Sequence, residues 1–497
     1  MLNNKIKFLS NINDKSLSET LVVPIISDEE ISIDLGDSNA NSLFRDTVKN
    51  EDISSNGKVT ILYTPDSLFP DFNYLRIICI GLGESVKLDS NTARKAGGSL
   101  GRYFLASKIE DLNFFVDSLL FFQQKEIIIE SLIEGFFLGN YSFDKYKNKK
   151  NKKNNTYEIT CSDSNLEISM IANKSFEKSK AEKIARNLVN EPANFLTPTK
   201  LSEIAFELSS ENLTCKILDK KDCKDLGMNA FLGVSQGSVE EPKLIHISYK
   251  PIPNENSYWY IGKAITFDSG GLSLKPSGSM FSMKGDMGGS ASVIAAITAI
   301  ANLGINVNIE VLCLATENMP SGSAQRPSDV VEAMDGTYIE VENTDAEGRL
   351  TLADAITYAK TFDPKFIIDI ATLTGAASIG LGKGNISAFS NNDEFMKNVS
   401  SAGEISGDFV WQLPLDSVSK EQNNSSIADI KNTGGRLAGT ITAAHFINHF
   451  VGDVPWVHLD IAANSMTSSS EGWHNKGATG IPTRLLIELA YIFEKKR

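Results

Sequence analysis

Apolar segments with the character of strands alternate with segments of helical spacing along the second half of the chain. The stretches YWYIGKAITF (258–267), VNIEVLCLAT (307–316) and KFIIDIATLTG (365–375) are apolar and rich in β-branched residues, which is typical of buried strands. Two segments, ASVIAAITAIANLG (291–304) and LTLADAITYAKTF (350–362), have the small or periodic apolar residues of helices. Strands that alternate with helices predict a mostly parallel, doubly wound sheet.

The first half of the chain shows a weaker pattern of the same kind. YLRIICIGLG (74–83) and EIIIESLIEGFFLG (126–139) predict strand and helix pieces of another α/β domain. The lysine-rich stretch Lys145–Asn155 has no apolar periodicity, which favours a solvated surface loop over a nucleic-acid site. Apolar spacing then predicts a connecting helix that ends before Pro192.

These patterns predict an α/β protein with two domains, each a mixed or mostly parallel sheet flanked by helices. The predicted parts are an N-terminal domain over 1–165, a connecting helix over 166–190 and a C-terminal domain over 191–497. A chain of 497 residues is too long for one ordinary core, and its apolar content is enough for two.

Charge and cysteine content narrow the class of protein. A formal charge of −14 argues against a general nucleic-acid or anionic-membrane binder, because either needs a basic face. The start of the chain lacks the apolar core of a signal peptide, and the longest apolar run, around 293–301, is too short to span a membrane. The cysteines are odd in number and scattered, which indicates reduced thiols and a cytoplasmic protein: Cys79, Cys161, Cys215, Cys223 and Cys313.

The stretch ENTDAEGRL, Glu342–Leu350, has two interpretations. Thr344 and Glu347 have the spacing of a capping box at the start of a helix, and on these residues alone that interpretation is favoured. Alternatively, Asp345 and Glu347 are metal ligands. The rest of the sequence shifts the balance toward the second, because Asp268, Asp345 and Thr372 each follow a predicted strand and would meet at one edge of the sheet.

Four carboxylates at one sheet edge would repel one another unless cations neutralise them. Two divalent ions would balance the four negative charges of Asp268, Asp286, Asp345 and Glu347, which favours a dinuclear hydrolytic centre. Oxygen ligands suit magnesium or manganese, and zinc remains open if a lysine nitrogen also binds. Lys263 precedes Asp268 by five residues, about 16 Å along an extended strand, so we expect a sharp bend between them, supplied by the DSGG turn.

At these residues the chain resembles the leucyl aminopeptidases, also called cytosol aminopeptidases. NTDAEGRL (343–350) is the signature octapeptide of that family, and it stands here without change. The resemblance continues in order through GKAITFDSGGLSLKPS, MKGDMGG, DIATLTGA, DIKNTGGRLAGTITAAHF, PWVHLDIA and KGATGIPTRLL, densely in the C-terminal half and thinly in the N-terminal half. Ala264 replaces a common glycine, and DIAANSM (460–466) departs from the family near the substrate pocket.

The resemblance implies a metallo-exopeptidase whose catalytic domain is C-terminal. It implies one metal ion held by Lys263, Asp268, Asp286 and Glu347, and a second held by Asp268, Asp345 and Glu347. Lys275 would polarise the scissile carbonyl, and Arg349 would hold a bicarbonate that acts as general base. The substrate's amine would bind a metal ion and lie near Asp286. The first side-chain pocket, apolar and suited to leucine-like residues, would be lined by Met283, Thr372, Gly375 and Ala462.

The resemblance also implies peptide substrates, a homohexamer and turnover of intracellular peptides. Net charge and the short apolar runs predict no nucleic acid and no membrane as partner. The N-terminal domain would be regulatory or would form oligomer contacts.

The glycines near the site do not fit a dinucleotide-binding loop, and the five histidines are interpreted as structural or surface groups. Two alternatives remain: another dinuclear hydrolase, such as a phosphoesterase, and an inactive aminopeptidase-like binding or structural protein.

Overall fold

The computed structural model describes residues 5–9, 18–29, 38–50, 52–65, 72–148, 156–164 and 166–497. These residues separate into two compact units, Met1–Ser179 with Ser469–Lys476, and Lys180–Ser468 with Gly477–Arg497. Of the lysine-rich stretch predicted to be a surface loop, 145–148 are exposed, whereas 149–155 lie outside the described residues. No helix in the described ranges is both long enough and apolar enough to cross a membrane.

The first unit is built on a six-stranded sheet with strand order β1-β6-β5-β2-β4-β3, parallel throughout except for β3. Its strands are β1 Lys5–Leu9, β2 Thr20–Ile26, β3 Val59–Tyr63, β4 Arg76–Gly83, β5 Leu112–Phe115 and β6 Thr156–Thr160. Its helices are α1 Ser38–Asn50, α2 Ser90–Ala106 and α3 Lys125–Gly139. The strand predicted at 74–83 and the helix predicted at 126–139 are thus confirmed as β4 and α3.

A short segment from far along the chain, Ser469–Lys476, belongs to this first unit. Asn475 Nδ2 donates hydrogen bonds to the carbonyl oxygens of Gly139 and Tyr141, at 2.9 and 2.7 Å. The guanidinium of Arg94 lies over the ring of Trp473, 5.2 Å from its centre. No local pattern in the sequence indicates this grouping.

The segment predicted to be a connecting helix contains α4, Ile168–Asn190. The second unit begins within this helix, at Lys180. Its helices are α5 Pro198–Glu207, α6 Lys220–Asp225, α7 Asn229–Ser235, α8 Ser277–Met280, α9 Gly288–Asn302, α10 Gly348–Lys360, α11 Gly375–Leu381, α12 Asp393–Ser406, α13 Ser417–Glu421, α14 Gly439–Val451 and α15 Thr483–Lys495. Its strands are β7 Thr214–Leu218, β8 Lys243–Tyr249, β9 Tyr258–Gly262, β10 Ala264–Asp268, β11 Ile309–Asn318, β12 Val330–Glu332, β13 Tyr338–Glu340, β14 Phe366–Ala371, β15 Ile386–Ser390, β16 Val410–Gln412, β17 Ile430–Lys431, β18 Trp456–Asp460, β19 Met466–Thr467 and β20 Gly477–Ala478.

The main sheet of the second unit has nine strands in the order β16-β15-β18-β14-β9-β11-β8-β7, with β10 paired to β11. Its centre is parallel, and β15, β8 and β7 bring in antiparallel pairings toward the edges. Apolar clusters fill both faces, with α9 and α15 on one side and α10 and α14 on the other. The predicted α/β class with mixed or mostly parallel sheets is therefore confirmed.

Candidate active site

Lys263 lies where one predicted strand is divided in two. β9 pairs with β14 and with the first half of β11, whereas β10 continues along the second half of β11. At the break, the Lys263 amide donates to the Ile370 carbonyl and the Lys263 carbonyl accepts from the Ser290 amide, both at 2.9 Å. The main chain of Lys263 is therefore hydrogen-bonded to the end of β14 on one side and to the start of α9 on the other.

The Lys263 side chain, 3% exposed, reaches two carboxylates of the candidate metal site. Its Nζ lies 2.8 Å from Asp286 Oδ2, 2.8 Å from Glu347 Oε1 and 2.9 Å from the Thr372 carbonyl. The stem passes directly over Gly348, where an added Cβ would stand 2.6–2.8 Å from Cδ, Cε and Nζ of the lysine. Only a glycine at this position leaves room for the lysine stem.

We expect Gly348→Ala to lower kcat about tenfold, because the new methyl group displaces Lys263 from the carboxylates and small displacements at reacting groups are costly. The substitution should not destabilise the helix, since alanine is favoured over glycine by about 1 kcal/mol in helices. Gly380→Ala is the matched control, because Gly380 is also helical and an added Cβ there meets nothing within 4 Å. Equal rates for the two variants would contradict the prediction.

Asp268 is the last residue of β10. The prediction of a sharp bend between Lys263 and Asp268 is wrong. The chain stays extended through Asp268, with only a bulge between Ile265 and Phe267. The long Lys263 side chain instead reaches Asp286 and Glu347, whose oxygens lie within 4.8 Å of one from Asp268. The glycine turn comes after Asp268, where Gly270 and Gly271 take positive φ values of 88° and 64°.

The role of that turn is to bring Lys275 back over the strand end. Lys275 Nζ lies 2.8 Å from Asp268 Oδ2 and 2.6 Å from Asp345 Oδ1. An added Cβ at Gly270 would stand 2.8 Å from Asp345 Oδ1 and 2.5 Å from the Ser273 carbonyl. Both glycines are therefore required for the left-handed backbone, and Gly270 is also required for the close approach to Asp345.

The capping-box interpretation of Thr344 and Glu347 is wrong. Glu347 itself holds the N-cap position of α10, and its side chain makes no capping hydrogen bond. The Thr344 hydroxyl instead donates to the Gly270 carbonyl at 2.7 Å and accepts from the Ser273 amide at 2.8 Å. Thr344 thus ties the glycine turn to the segment that carries Asp345 and Glu347.

Asp345 does not follow a strand of the main sheet, as the sequence pattern suggested. The strand before it, β13, belongs to a separate three-stranded sheet with β12 and β17. Asp345 reaches the site from the loop before α10. Asp268 and Thr372 do lie at main-sheet strand ends, and Asp286 follows the 3₁₀ turn Met283–Gly285, where its Oδ1 accepts from the Thr372 hydroxyl at 2.8 Å.

The carboxylates are close enough to bind a cation together. Asp268, Asp286 and Glu347 each offer an oxygen, and these oxygens all lie within 4.8 Å of one another. Glu347 Oε2 is buried and accepts no hydrogen bond. Asp345 is the fourth acid of the cluster. The four carboxylates carry four negative charges, and the ammonium groups of Lys263 and Lys275 balance two of them. The donor set therefore fits a divalent metal centre.

The pKa shifts within the cluster also indicate a site for a divalent cation. Burial, together with the neighbouring Glu347 carboxylate, raises the pKa of Asp268 to about 6, and burial also raises the pKa of Asp286 and of Asp345. Burial opposes the charge of Lys263, but the surrounding carboxylates outweigh it and raise the lysine pKa. A bound divalent cation would favour the ionised acids and a neutral lysine amine.

Arg349 lies beneath this cluster on α10, 7% exposed. One terminal nitrogen donates to the Asn432 carbonyl at 2.8 Å, and the buried Nε has no hydrogen-bond partner. Burial lowers the pKa of the guanidinium to about 10, against the favourable charges of Glu347 and Asp460. The arginine is therefore a buried cation with a free donor.

A cavity of about 390 Å³ opens over the carboxylates. Four predicted substrate-pocket residues line it: Met283, Thr372, Gly375 and Ala462. The cavity is also lined by Lys263, Asp268, Lys275, Asp286 and Asp345, whereas Glu347 and Arg349 are not among its lining residues. Further lining residues, which were not predicted individually, include Leu373 and Thr374 of DIATLTGA and Ser465 and Met466 of DIAANSM.

Asp354, Asp369 and His458, which were predicted to be structural, have partners away from the cavity. Asp369 accepts from Trp456 Nε1 and pairs with His458 Nδ1, both at 2.6 Å. Asp354 accepts from the amides of Phe231 and Met334. The carboxylate cluster itself contains no histidine among the described residues.

Comparison with known proteins agrees with this geometry. Residues 183–487 match the family described as "Cytosol aminopeptidase family, catalytic domain", and residues 23–150 match its N-terminal domain. A probable cytosol aminopeptidase of Clostridium tetani (strain Massachusetts / E88) is 43% identical over 428 residues, 85% of this chain and 89% of the relative. One of Aquifex aeolicus (strain VF5) is 40% identical, over 84% of each chain.

A solved structure, "Bottromycin maturation enzyme BotP in complex with Mn", superposes with a TM-score of 0.85. It is 30% identical in sequence, and the match covers 96% of this chain and all of that one. A second BotP structure gives a TM-score of 0.84 at 29% identity. With both domains matched and the acidic cluster at the cavity, the chain belongs to the cytosol aminopeptidase family and is a metal-dependent aminopeptidase, neither an inactive relative nor a hydrolase of another class.

Proposed function

We propose that this aminopeptidase uses two divalent metal ions to remove leucine-like residues from the N-termini of peptides. The observation that supports it most is the position of the buried carboxylate cluster, with two lysines, on the wall of a cavity that also has apolar lining residues. The substrate's amine and first side chain can therefore be bound beside the reacting carbonyl.

Five residues would hold the metal ions: Lys263, Asp268, Asp286 and Glu347 one ion, and Asp268, Asp345 and Glu347 the other. Manganese or zinc fits this mixed oxygen and nitrogen set, and magnesium suits the oxygens. When bound, two such ions supply Lewis acidity and lower the pKa of water at the site. Lys263 can bind only as a neutral amine, so it must release its proton as metal binds.

Lys275 and Arg349 would act on the reacting groups. Lys275 Nζ faces the cavity, and its side chain is 15% exposed, so it can donate to the carbonyl oxygen on which negative charge develops. Arg349 is a buried cation with an unpaired Nε–H, which suits a small anion such as bicarbonate. A positioned bicarbonate could accept the proton of the attacking water.

The substrate pocket would be formed by Met283, Thr372, Gly375 and Ala462. Gly375 adds no side chain to the wall, and an added Cβ there meets nothing within 4 Å, which leaves room for a branched apolar residue. Asp286, held by the Thr372 hydroxyl, would lie near the substrate's ammonium group and favour substrates with a free amine. The departure at DIAANSM places Ser465 and Met466 beside the pocket, where they would adjust side-chain preference.

The wider setting is also a proposal. The domains would be 1–165 and 191–497, joined by a helix over 166–190, with the N-terminal domain regulatory or in oligomer contacts of a homohexamer. A cytoplasmic location is supported by the description of the relatives as cytosol aminopeptidases. Peptides would be the partners, and nucleic acid would not.

The test combines metal counting with a substrate panel. Titration of the demetallated protein with Mn²⁺ should show two ions per chain. Leucinamide and methioninamide should be hydrolysed with kcat/KM at least about tenfold above glycinamide, because each buried methylene adds about 1 kcal/mol or more of binding. One ion per chain, or a preference for glycinamide or an acidic residue, would contradict the proposal.

A further inference from the structure

We propose that Asn432 is a positioning residue that holds the metal-binding loop and Arg349 in place. This inference rests on the proposed roles of Asp345, Glu347 and Arg349. Asn432 follows β17 in the stretch DIKNTGGRLAGT, and no part of the proposed chemistry uses it. The residue has no exposed surface.

The Asn432 carboxamide makes four hydrogen bonds, all to the backbone of the loop before α10. Its oxygen accepts from the amides of Glu342 and Asn343, at 2.9 and 3.3 Å. Its nitrogen donates to the carbonyls of Asn343 and Ala346, at 2.7 and 3.3 Å. Both ends of the amide are therefore used, and only an asparagine has the length and the mixed donor and acceptor for this pattern.

The main chain of Asn432 adds two more connections. Its amide donates to the Glu340 carbonyl at 2.9 Å, which extends the pairing of β17 with β13. Its carbonyl accepts from Arg349 at 2.8 Å. One buried residue thus connects the small sheet, the loop that carries Asp345 and Glu347, and the arginine beneath the site.

The loop needs such support because its carboxylates face other carboxylates. Between β13 and α10 the loop is mostly neither helix nor strand. Lys263 and Lys275 bridge its acids to Asp268 and Asp286 but balance only two of the four negative charges, so a net repulsion acts on the loop before metal binds. On the other side, Asn318 Nδ2 donates to Asp268 Oδ1 and to the Thr344 carbonyl, at 2.8 and 3.0 Å. The loop is therefore held between Asn318 and Asn432, which places the ligands in advance.

Asn308 offers a matched control within the same unit. It is 2% exposed, and its carboxamide also bonds only backbone groups: it accepts from the Ile252 amide and donates to the carbonyls of Ile252 and Glu255, at 3.0, 2.7 and 2.9 Å. It precedes β11 at the opposite end of the strands from the carboxylates. Replacement of Asn308 has a similar structural cost with no path to the metal ligands.

The test compares Asn432→Leu with Asn308→Leu, both nearly isosteric and uncharged, in the full chain. After demetallation, Mn²⁺ titration by calorimetry should show that Asn432→Leu weakens at least one site about 10- to 100-fold, as expected when groups that orient metal ligands are lost. Its kcat on leucinamide should fall by a similar factor. Asn308→Leu should keep wild-type Mn²⁺ affinity and kcat, even if its melting temperature falls.

A second variant covers the case in which Asn432→Leu does not fold. Asn432→Ala removes the same four bonds and adds neither bulk nor charge, and its small side chain leaves space for water to meet the backbone groups of the loop, so it should show a smaller change in the same direction. Folded Asn432 variants with the Mn²⁺ affinity of wild type would overturn the proposal, as would failure of both variants to fold. A wild-type chain that binds no Mn²⁺ would instead contradict the proposed function, whatever the variants do.

Discussion

Acetylation of the substrate's amino group is expected to lower kcat/KM by about 10³-fold, because a free amine that is bound at the site holds the scissile bond in place for attack, and loss of that positioning is worth orders of magnitude. Asp286 lies on the cavity wall beside Thr372 and would face that amine. The measurement is hydrolysis of leucyl peptides with free and acetylated N-termini.

A peptide acetylated only on a downstream lysine side chain is the control, since it carries the same modification and keeps its free N-terminus. It should be cleaved at the rate of the unmodified peptide. Comparable rates on N-acetylated and free peptides would mean that the amine is not recognised, and the assignment of the cavity to an N-terminal residue would fail.

Replacement of Lys275 by methionine is expected to lower kcat by about 10²- to 10³-fold while both metal ions remain bound, which is the cost of losing one donor to a developing oxyanion. The side chain lies at the cavity, whereas the metal ligands proposed for either site do not include it. Metal content and kcat are measured on the same purified sample. Lys360→Met is the matched control, because Lys360 Nζ donates only to the Phe450 carbonyl, away from the cavity.

Lys263→Met separates the two lysine roles. Lys263 contacts Asp286 and Glu347, and it is proposed as a metal ligand, so its loss should lower bound metal as well as rate. Retention of two tightly bound ions by Lys263→Met, or loss of metal by a folded Lys275→Met, would show that the roles are assigned to the wrong lysines.

The elements around the site followed from local sequence. Ile309–Asn318 and Phe366–Ala371 are apolar and β-branched and form the strands predicted there, and the strand predicted over 258–267 forms as two, Tyr258–Gly262 and Ala264–Asp268. The helices over 288–302 and 348–360 also agree with their spacing. A parallel strand that is buried on both faces needs apolar, β-branched residues along its whole length. Such strands can therefore be predicted from sequence before the fold is known. The motif NTDAEGRL likewise indicated the chemistry before any distance was known.

The contacts that place the ligands were decided only by the tertiary structure. Local pattern predicted a capping box at Thr344, but Gly270 and Ser273, more than seventy residues away, compete for its hydroxyl. Spacing along the chain predicts a bend between Lys263 and Asp268, because it takes no account of how far the lysine side chain reaches. Hydrogen bonds between segments that are distant along the chain leave no periodic pattern in the sequence. One partner of such a bond therefore cannot be predicted from the other.

Sequence by itself determined which residue types this protein brings to the site: four acids, two lysines and an arginine, in motifs of a family whose members are aminopeptidases. Tertiary structure decided how they meet. Asp345 comes from a loop beside a separate small sheet rather than from the main one, and Asn432, without chemistry of its own, bonds that loop. The reason is physical: propensity and burial act on neighbours along the chain, whereas the position of a buried charge depends on every group packed around it.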